Sequence, residues 1–318
     1  MAQPTSTMVH IDAPLTELSV AHFQDQKNFI AERVFPSVNV AKQSNKYFIF
    51  DRASFNRDSM QKRAAGEESA GSGYTVSSDS YFCDVWGLHK DISDFDRANT
   101  DSPLDADRNA VQFLTQQSMI RKEVQWVSDY FTSGVWGTDN TPSNLWSDYV
   151  NSDPLGNIDT AKTSILTSSN GIEANTLVLG LQVFNQLKNH PDIVDRIKYT
   201  SARVVTEEVL ASLFGLDRVL VAKGVVDQVA EGKTAAPALI HGKHALLCHV
   251  APSAGLEVAT AGITLNWTGL AAGYSGLGVA VEKYRMQHLK SDRIEAHAAF
   301  DMKVVAASLG YMFNSVVA

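Results

Sequence analysis

The chain has 318 residues, which is enough for a large buried core and for two domains. Apolar residues make up 44% and charged residues 19%, a globular composition that excludes an intrinsically disordered chain. A net charge of −8 argues against a nucleic-acid reader, which needs a basic stripe to neutralise phosphates, but it leaves room for a surface that faces DNA without gripping it.

No Lys or Arg precedes Lys27 and no apolar run follows a basic start, so the amino-terminal region does not read as a secretory signal. It reads as an arm with a short helical stretch near residues 15–23. Residues 29–35 are apolar and stop at Pro36, and residues 38–50 read as extended. Tyr47-Phe48-Ile49-Phe50 then leads into a polar, glycine-studded segment, and Tyr81-Phe82-Cys83-Asp84-Val85-Trp86 leads out of it. Residues 53–80 between them carry Arg57, Lys62, Arg63, Glu67, Glu68 and Asp79, with Gly66, Gly71 and Gly73. Such a segment cannot bury a core. A two-stranded excursion is marginal alone in water, and ordering it costs roughly 1–2 kcal/mol per residue. It is therefore either a disordered loop or an arm held by a second chain.

A long helix follows. Ser102 suits the N-cap, Pro103 the first helical position and Asp105 the positive end of the dipole. Phe113, Ile120, Val124, Val127 and Phe131 share one face, widened by Met119, Trp126 and Tyr130, and Gly134 is a natural stop. From 103 to 133 the helix would span about 45 Å, a spine rather than a connector. Residues 134–175, rich in Gly, Asn, Ser, Asp and Pro, read as a linker with little regular structure. Beyond them the pattern predicts a strand at 176–179, a helix through Leu181, Phe184 and Leu187 ending before Pro191, and a short helix 207–214 between Thr206 and Gly215. Strands are predicted at 218–226, 244–250, 279–288 and 294–305, and an apolar end at 309–313. Residues 258–281 lack Asp, Glu, Lys and Arg, but polar side chains and five glycines interrupt them, which marks a buried strand and loop and not a membrane span. Cys83 and Cys248 read as reduced, buried thiols.

No catalytic constellation emerges. Gly232-Lys233-Thr234 resembles the tail of a phosphate loop, but Asp227 stands where the first glycine belongs. Gly273-Tyr274-Ser275-Gly276 lacks the closing glycine of a nucleophile elbow, since Leu277 occupies that position. His241, His244, Cys248 and His249 are the best metal candidates, yet on a strand His244 and Cys248 lie about 13 Å apart at roughly 3.3 Å per residue. Asp91, Asp94, Asp96, Asp101, Asp105 and Asp107 read as a solvated or interface cluster near a helix start. The sequence thus assigns no catalytic, metal or cofactor-binding residues, and no cofactor.

The order of elements carries more information than any motif. An arm leads to Phe29-Ile30-Ala31-Glu32-Arg33-Val34-Phe35-Pro36-Ser37-Val38. An extended loop precedes the long helix. A compact central part contains Asn175-Thr176-Leu177-Val178-Leu179-Gly180 and Leu213-Phe214-Gly215-Leu216-Asp217-Arg218-Val219-Leu220-Val221, and a return strand runs through Asp292-Arg293-Ile294-Glu295-Ala296. Over nearly its whole length the chain resembles the major capsid proteins of tailed bacteriophages, with the α+β Hong-Kong-97-type capsid fold. The resemblance implies an N-terminal arm at 1–47, an extended loop at 48–90 lying across a neighbouring subunit, and a peripheral domain at 91–174 and 276–318 with a spine helix at about 102–134. It implies an axial domain at 175–275. It also implies a non-enzymatic protein that self-assembles through hexamers and pentamers into an icosahedral virion shell around double-stranded DNA, bound without sequence specificity. It further implies no membrane partner and assembly in the host cytoplasm. About 28 residues precede the first apolar segment, so scaffolding is expected from a separate protein, alongside a portal. Arg57, Lys62, Arg63, Glu67 and Glu68 are the inter-subunit contact candidates; a crosslink at Lys62 finds no matching asparagine or acid. The rival expectations are a soluble enzyme with a mobile lid at 52–80 and a bacterial nanocompartment shell of the same fold.

Overall fold

The structure is a computed structural model that describes residues 24–99, 105–198, 204–230, 232–253, 255, 258–269 and 279–318. The helical stretch expected near 15–23, the helix start at Ser102 and Pro103, and the segment Gly273–Gly276 lie outside the described residues.

A short helix α1 (Ala31–Val34) precedes strand β1 (Ser37–Val40). Strands β2 (Ser44–Phe50) and β3 (Val76–Phe82) pair antiparallel as an isolated ribbon, with helix α2 (Arg52–Phe55) just past its far end. Strand β4 (Asp84–Ser93) and helix α3 (Asp94–Asn99) lead to the spine helix α4 (Ala106–Tyr130). The described spine has 25 residues, about 37 Å. Its N-cap is Asp105, whose carboxylate accepts from the backbone N–H of Asp107 and Arg108. Its buried face is Ala110, Leu114 and Trp126 together with Lys122 and Glu123, while Phe113 is exposed and Val124 half-buried. The stripe is thus rotated from the one the apolar spacing predicts. Two charged side chains turn inward because partners from remote segments await them. Lys122 Nζ lies 2.6 Å from Glu32, and the Glu123 carboxylate accepts from Ile30 N–H at 3.0 Å and Ala31 N–H at 2.9 Å, which caps α1.

The expected linker over 134–175 is corrected. It contains strand β5 (Thr138–Asn140) and a regular helix, α5 (Pro154–Ser168). Asp153 caps α5, Pro154 takes its first turn, and Leu155, Ile158, Ala161 and Ile165 bury one face. Strand β6 (Thr176–Gly180) and helix α6 (Leu181–Leu187) follow. Pro191 does more than end α6: it opens another helix, α7 (Pro191–Ile197), whose N-cap is His190. Helix α8 (Glu207–Phe214) runs from Thr206, which caps it, to Gly215 at φ +62°, a left-handed conformation that favours glycine. Then come strand β7 (Arg218–Ala222), the hairpin of β8 (Val225–Asp227) and β9 (Pro237–Leu239), strand β10 (Ala245–Cys248) and strand β11 (Gly262–Trp267). The long strands β12 (Val279–Met286) and β13 (Ser291–Val304) precede the terminal strand β14 (Gly310–Phe313).

Two five-stranded sheets organise these elements. In the first, β13 is the hub. It pairs antiparallel with β4, β12 and β11, and β11 pairs parallel with β1. Ile294, Ala296, Ala298, Phe300 and Met302, every second residue of β13, face the spine helix in one core. The second sheet runs β5-β14-β10-β6-β7, and all of its strands but the edge strand β5 are buried on both faces. Its period-two alternation divides it between two cores. Val178, Leu220, Leu246 and Met312 join the spine-helix core. Leu177, Leu179, Val219, Val221, Leu247 and Phe313 meet helices α5 to α8. Gly310 lets Trp136 close over β14, since a Cβ there would fall 2.0 Å from the indole. Among the described residues no helix is long and apolar enough to cross a membrane.

Candidate inter-subunit surface

The β2–β3 ribbon has two unlike faces. Register pairs Ser44 with Phe82 and Phe50 with Val76, so alternate residues point the same way. Tyr47, Ile49 and Tyr81 turn inward. Tyr47 donates its hydroxyl to Asp79 at 3.1 Å, and burial, with the Asp79 charge second, pushes its pKa up to about 12. Phe48, Phe82 and Val76 share the opposite face and are 72%, 56% and 45% exposed. These aromatic and aliphatic side chains form one water-exposed apolar strip.

The root of the ribbon is firmly tied. Only Cys83 separates β3 from β4, and it is buried. Cys83 N–H donates to the Gln43 carbonyl at 2.9 Å, Gln43 Nε2 donates to the Cys83 carbonyl at 3.1 Å, and Phe82 N–H donates to Asp301 at 3.0 Å. Burial raises the Asp301 carboxyl above its ordinary value and pushes the Cys83 thiol up to about 11. The tip is the reverse. Arg57, Lys62, Arg63, Glu67 and Glu68 are all exposed there, and a contact from Arg63 Nε to the Glu67 carbonyl joins the basic and acidic parts. The five side chains thus share one excursion, between α2 and β3.

The acidic run lies elsewhere and is largely neutralised within the chain. Arg293 grips Asp91 at 2.7 and 2.8 Å, Arg285 grips Asp94 at 2.6 Å, and Asp107 lies 2.8 Å from Arg97 and 2.7 Å from Lys283. Asp292, missed as part of this cluster, lies between Arg97 at 2.7 Å and Arg285 at 3.1 Å, whose hydrogen bonds hold its carboxyl down to about 2. Within the chain, Asp91, Asp94 and Asp107 thus have basic partners, and Asp105 caps the spine.

One arrangement imitates a hydrolase. Ser152 Oγ lies 2.9 Å from His190 Nε2, and His190 Nδ1 lies 3.7 Å from Asp192. The hydrogen bonds assign the opposite tautomer from the one catalysis needs. Nδ1 accepts from Asp192 N–H at 3.3 Å, so Nε2 carries the proton and donates it to Ser152, whose own hydroxyl proton goes to the Asp148 carbonyl at 2.6 Å. His190 is a helix cap, and it cannot take a proton from Ser152. The histidine group near 241–249 is also dispersed. His241 lies 3.1 Å from Glu123, His244 Nδ1 accepts from Ser315 N–H, and His249 Nδ1 pairs with the Glu173 carbonyl. Burial pushes the Cys248 thiol up to about 12. Among the described residues no three such side chains converge as a metal-ligand set.

No protein-family model matches the chain. A curated relative, the major capsid protein of Burkholderia phage BcepMu, is 25% identical over 219 residues, 68% of this chain and 69% of that protein. A phage-related protein of Bordetella bronchiseptica, known from its crystal structure, is 21% identical with a TM-score of 0.68, over 92% of this chain and 94% of that one. The mature capsid of bacteriophage PhiM1 is 11% identical with a TM-score of 0.58, over 92% of this chain and 88% of that one. The SrpI encapsulin of Synechococcus elongatus is 12% identical with a TM-score of 0.58 over 96% of each chain. The architecture is therefore that of the α+β Hong-Kong-97-type capsid proteins. With the phage relative beside it, the chain is similar to a phage major capsid protein in sequence and to phage capsid proteins in fold.

Proposed function

We propose that the chain assembles, without catalysis, through hexamers and pentamers into an icosahedral head shell that encloses double-stranded DNA. The extended loop, residues 48–90, which holds most of the ribbon and its tip, lies across the neighbouring subunit. Arg57, Lys62, Arg63, Glu67 and Glu68 meet that neighbour, and Phe48, Val76 and Phe82 supply the apolar contact. In this reading 1–47 is the arm, 91–174 and 276–318 the peripheral domain, and 175–275 the axial domain, with β11 and β14 passing between the two so that each completes the other's sheet. A separate scaffolding protein, a portal and assembly in the host cytoplasm belong to the same proposal.

The observation that carries it is the exposed apolar strip on a ribbon whose root is pinned and whose tip has no core. A lone subunit gains nothing from such a strip, whereas a ring of heterologous contacts buries it at every boundary. The same fold in an encapsulin favours a second reading, a nanocompartment shell. Electron microscopy of purified particles, with measurement of their nucleic-acid content, tests both. Closed shells produced in infected cells and filled with double-stranded DNA are the expected result. Shells that hold a protein cargo and no DNA support the second reading, and discrete small oligomers contradict both.

A further inference from the structure

Strand β4 is an edge strand of the first sheet. It pairs with β13 on one side, and among the described residues no strand pairs with it on the other. Backbone direction tells the two sides apart, because successive N–H groups of a strand point to opposite edges. Phe82 N–H donates toward β13, to Asp301, and Cys83 N–H donates toward β2, to the Gln43 carbonyl. Along the continuing strand the even-numbered N–H groups therefore face β13. Those of Val85, Gly87, His89 and Asp91, with their carbonyls, face the open edge.

This edge is a bounded window. Gln43 closes it at Cys83. At the other end Asp94 is gripped by Arg285 of β12, on the far side of β13, so the chain turns back across the sheet and leaves the edge clear. Every residue from Asp84 to Asp91 is exposed, and neither a proline nor a bulge interrupts the register with β13. An open edge of this length is a template for pairing with another chain. The window, 84–92, is centred on Leu88, and about that centre it is self-complementary. An antiparallel copy related by a two-fold axis through Leu88 sets odd-numbered residues opposite odd-numbered ones, as the ladder requires: Val85 to the partner's Asp91 and Gly87 to the partner's His89. On the other face Trp86 meets the partner's Lys90, Asp84 meets the partner's Ile92, and no like charges are opposed.

We propose that the open edge of β4 joins the same edge of a second copy, so that two first sheets run on as one across a two-fold axis. The contact is isologous and separate from the ribbon. Within the shell reading, heterologous contacts close a ring, and this seam joins one ring to the next.

Disulfide trapping in assembled particles tests it. Leu88 and its counterpart form a non-hydrogen-bonded pair on the axis, with Cα atoms about 4.5 Å apart, within reach of a disulfide. Leu88→Cys should therefore link most subunits into dimers under oxidised glutathione. Asp84→Cys, about 26 Å from its counterpart at roughly 3.3 Å per residue, should not link. Cys83 and Cys248 are buried and do not compete. His89→Pro removes an N–H that faces the open edge, so it should leave the subunit's urea midpoint unchanged and cut the Leu88→Cys link at least about tenfold. Particles in which Leu88→Cys stays unlinked, or links no better than Asp84→Cys, overturn the seam and leave the shell reading standing. A link that His89→Pro does not weaken also overturns it. If no particles form, the shell reading fails, and the same contrast in oxidised, concentrated subunits decides the seam.

Discussion

The second sheet and the β2–β3 ribbon both carry aliphatic and aromatic side chains, nearly unbroken in the one and alternating with polar residues in the other, and they end in opposite states. Every strand of the sheet from β6 to β14 is covered on both faces, one by the spine-helix core and the other by helices α5 to α8. The ribbon is covered on one face near its root and on neither face at its tip. The sheet is finished within the subunit; under the proposed assembly the ribbon is finished by another chain. Sheet residues should therefore govern subunit stability, and ribbon residues should govern assembly.

The largest expected effect is in the sheet. Leu246 is fully buried between β14 and β6. Leu246→Ala should lower subunit stability by about 2–5 kcal/mol, read as a fall in the urea midpoint. A change below about 1 kcal/mol would mean that the sheet is not the stabilising body.

The ribbon should invert that pattern. Phe48→Ser with Phe82→Ser removes side chains that mostly face water in the subunit, so subunit stability should change by no more than about 0.5 kcal/mol. The protein concentration needed for assembly should rise about tenfold or more. Stability lost with assembly unchanged would reverse the comparison.

Acid gives a smaller and more local effect. The Asp292 carboxyl is held down to about 2 by Arg97 and Arg285, below the roughly 3.9 of an unfolded aspartate. A depressed carboxyl stabilises the folded state above its unfolded pKa, and that contribution fades as pH falls from about 5 toward 2. The urea midpoint of the parent should therefore fall over this window more steeply than that of Asp292→Asn. Identical slopes would show that the ion pairs do not hold in solution.

The smallest effect belongs to the charged tip. Arg57→Glu with Arg63→Glu should leave the fold intact by circular dichroism and should modestly weaken assembly, because exposed pairs contribute about 0–1 kcal/mol each. Sedimentation at low and high salt reads it, with the mutant the more salt-sensitive. Asp91, Asp94 and Asp107 are already paired in their own chain, which weakens any contribution from them as counter-charges to a neighbour's loop.

Much of this contrast was legible in the sequence, because it rests on local pattern. The aromatic entrances to the ribbon, the polar segment between them, the Thr206 and Gly215 ends of α8 and the alternation along β13 depend on neighbours in the chain. Other features were hidden for definite physical reasons. Helix α5 carries a clear apolar stripe, but its Gly, Ser and Thr content reads as linker until Asp153 is seen to cap it. Lys122 and Glu123 look like a solvated step on the spine, since their partners Glu32, Ile30, Ala31 and His241 lie about a hundred residues away. The pairing of β14 with β10 is likewise long-range, and no periodicity announces it. At the candidate surface, composition marked the loop and its charges. The exposed strip of Phe48, Val76 and Phe82 emerges only when the register of two strands is known.

Hydrogen exchange across 56–80 most directly tests the claim that a neighbour completes the ribbon. In dissociated subunits the amides of 56–75 should exchange near the free-chain rate, and those of β3 only moderately more slowly. In assembled particles both should slow by at least about tenfold, while amides of β6 and β10 stay slow in both states. Equal exchange across 56–80 in subunits and particles would contradict the account.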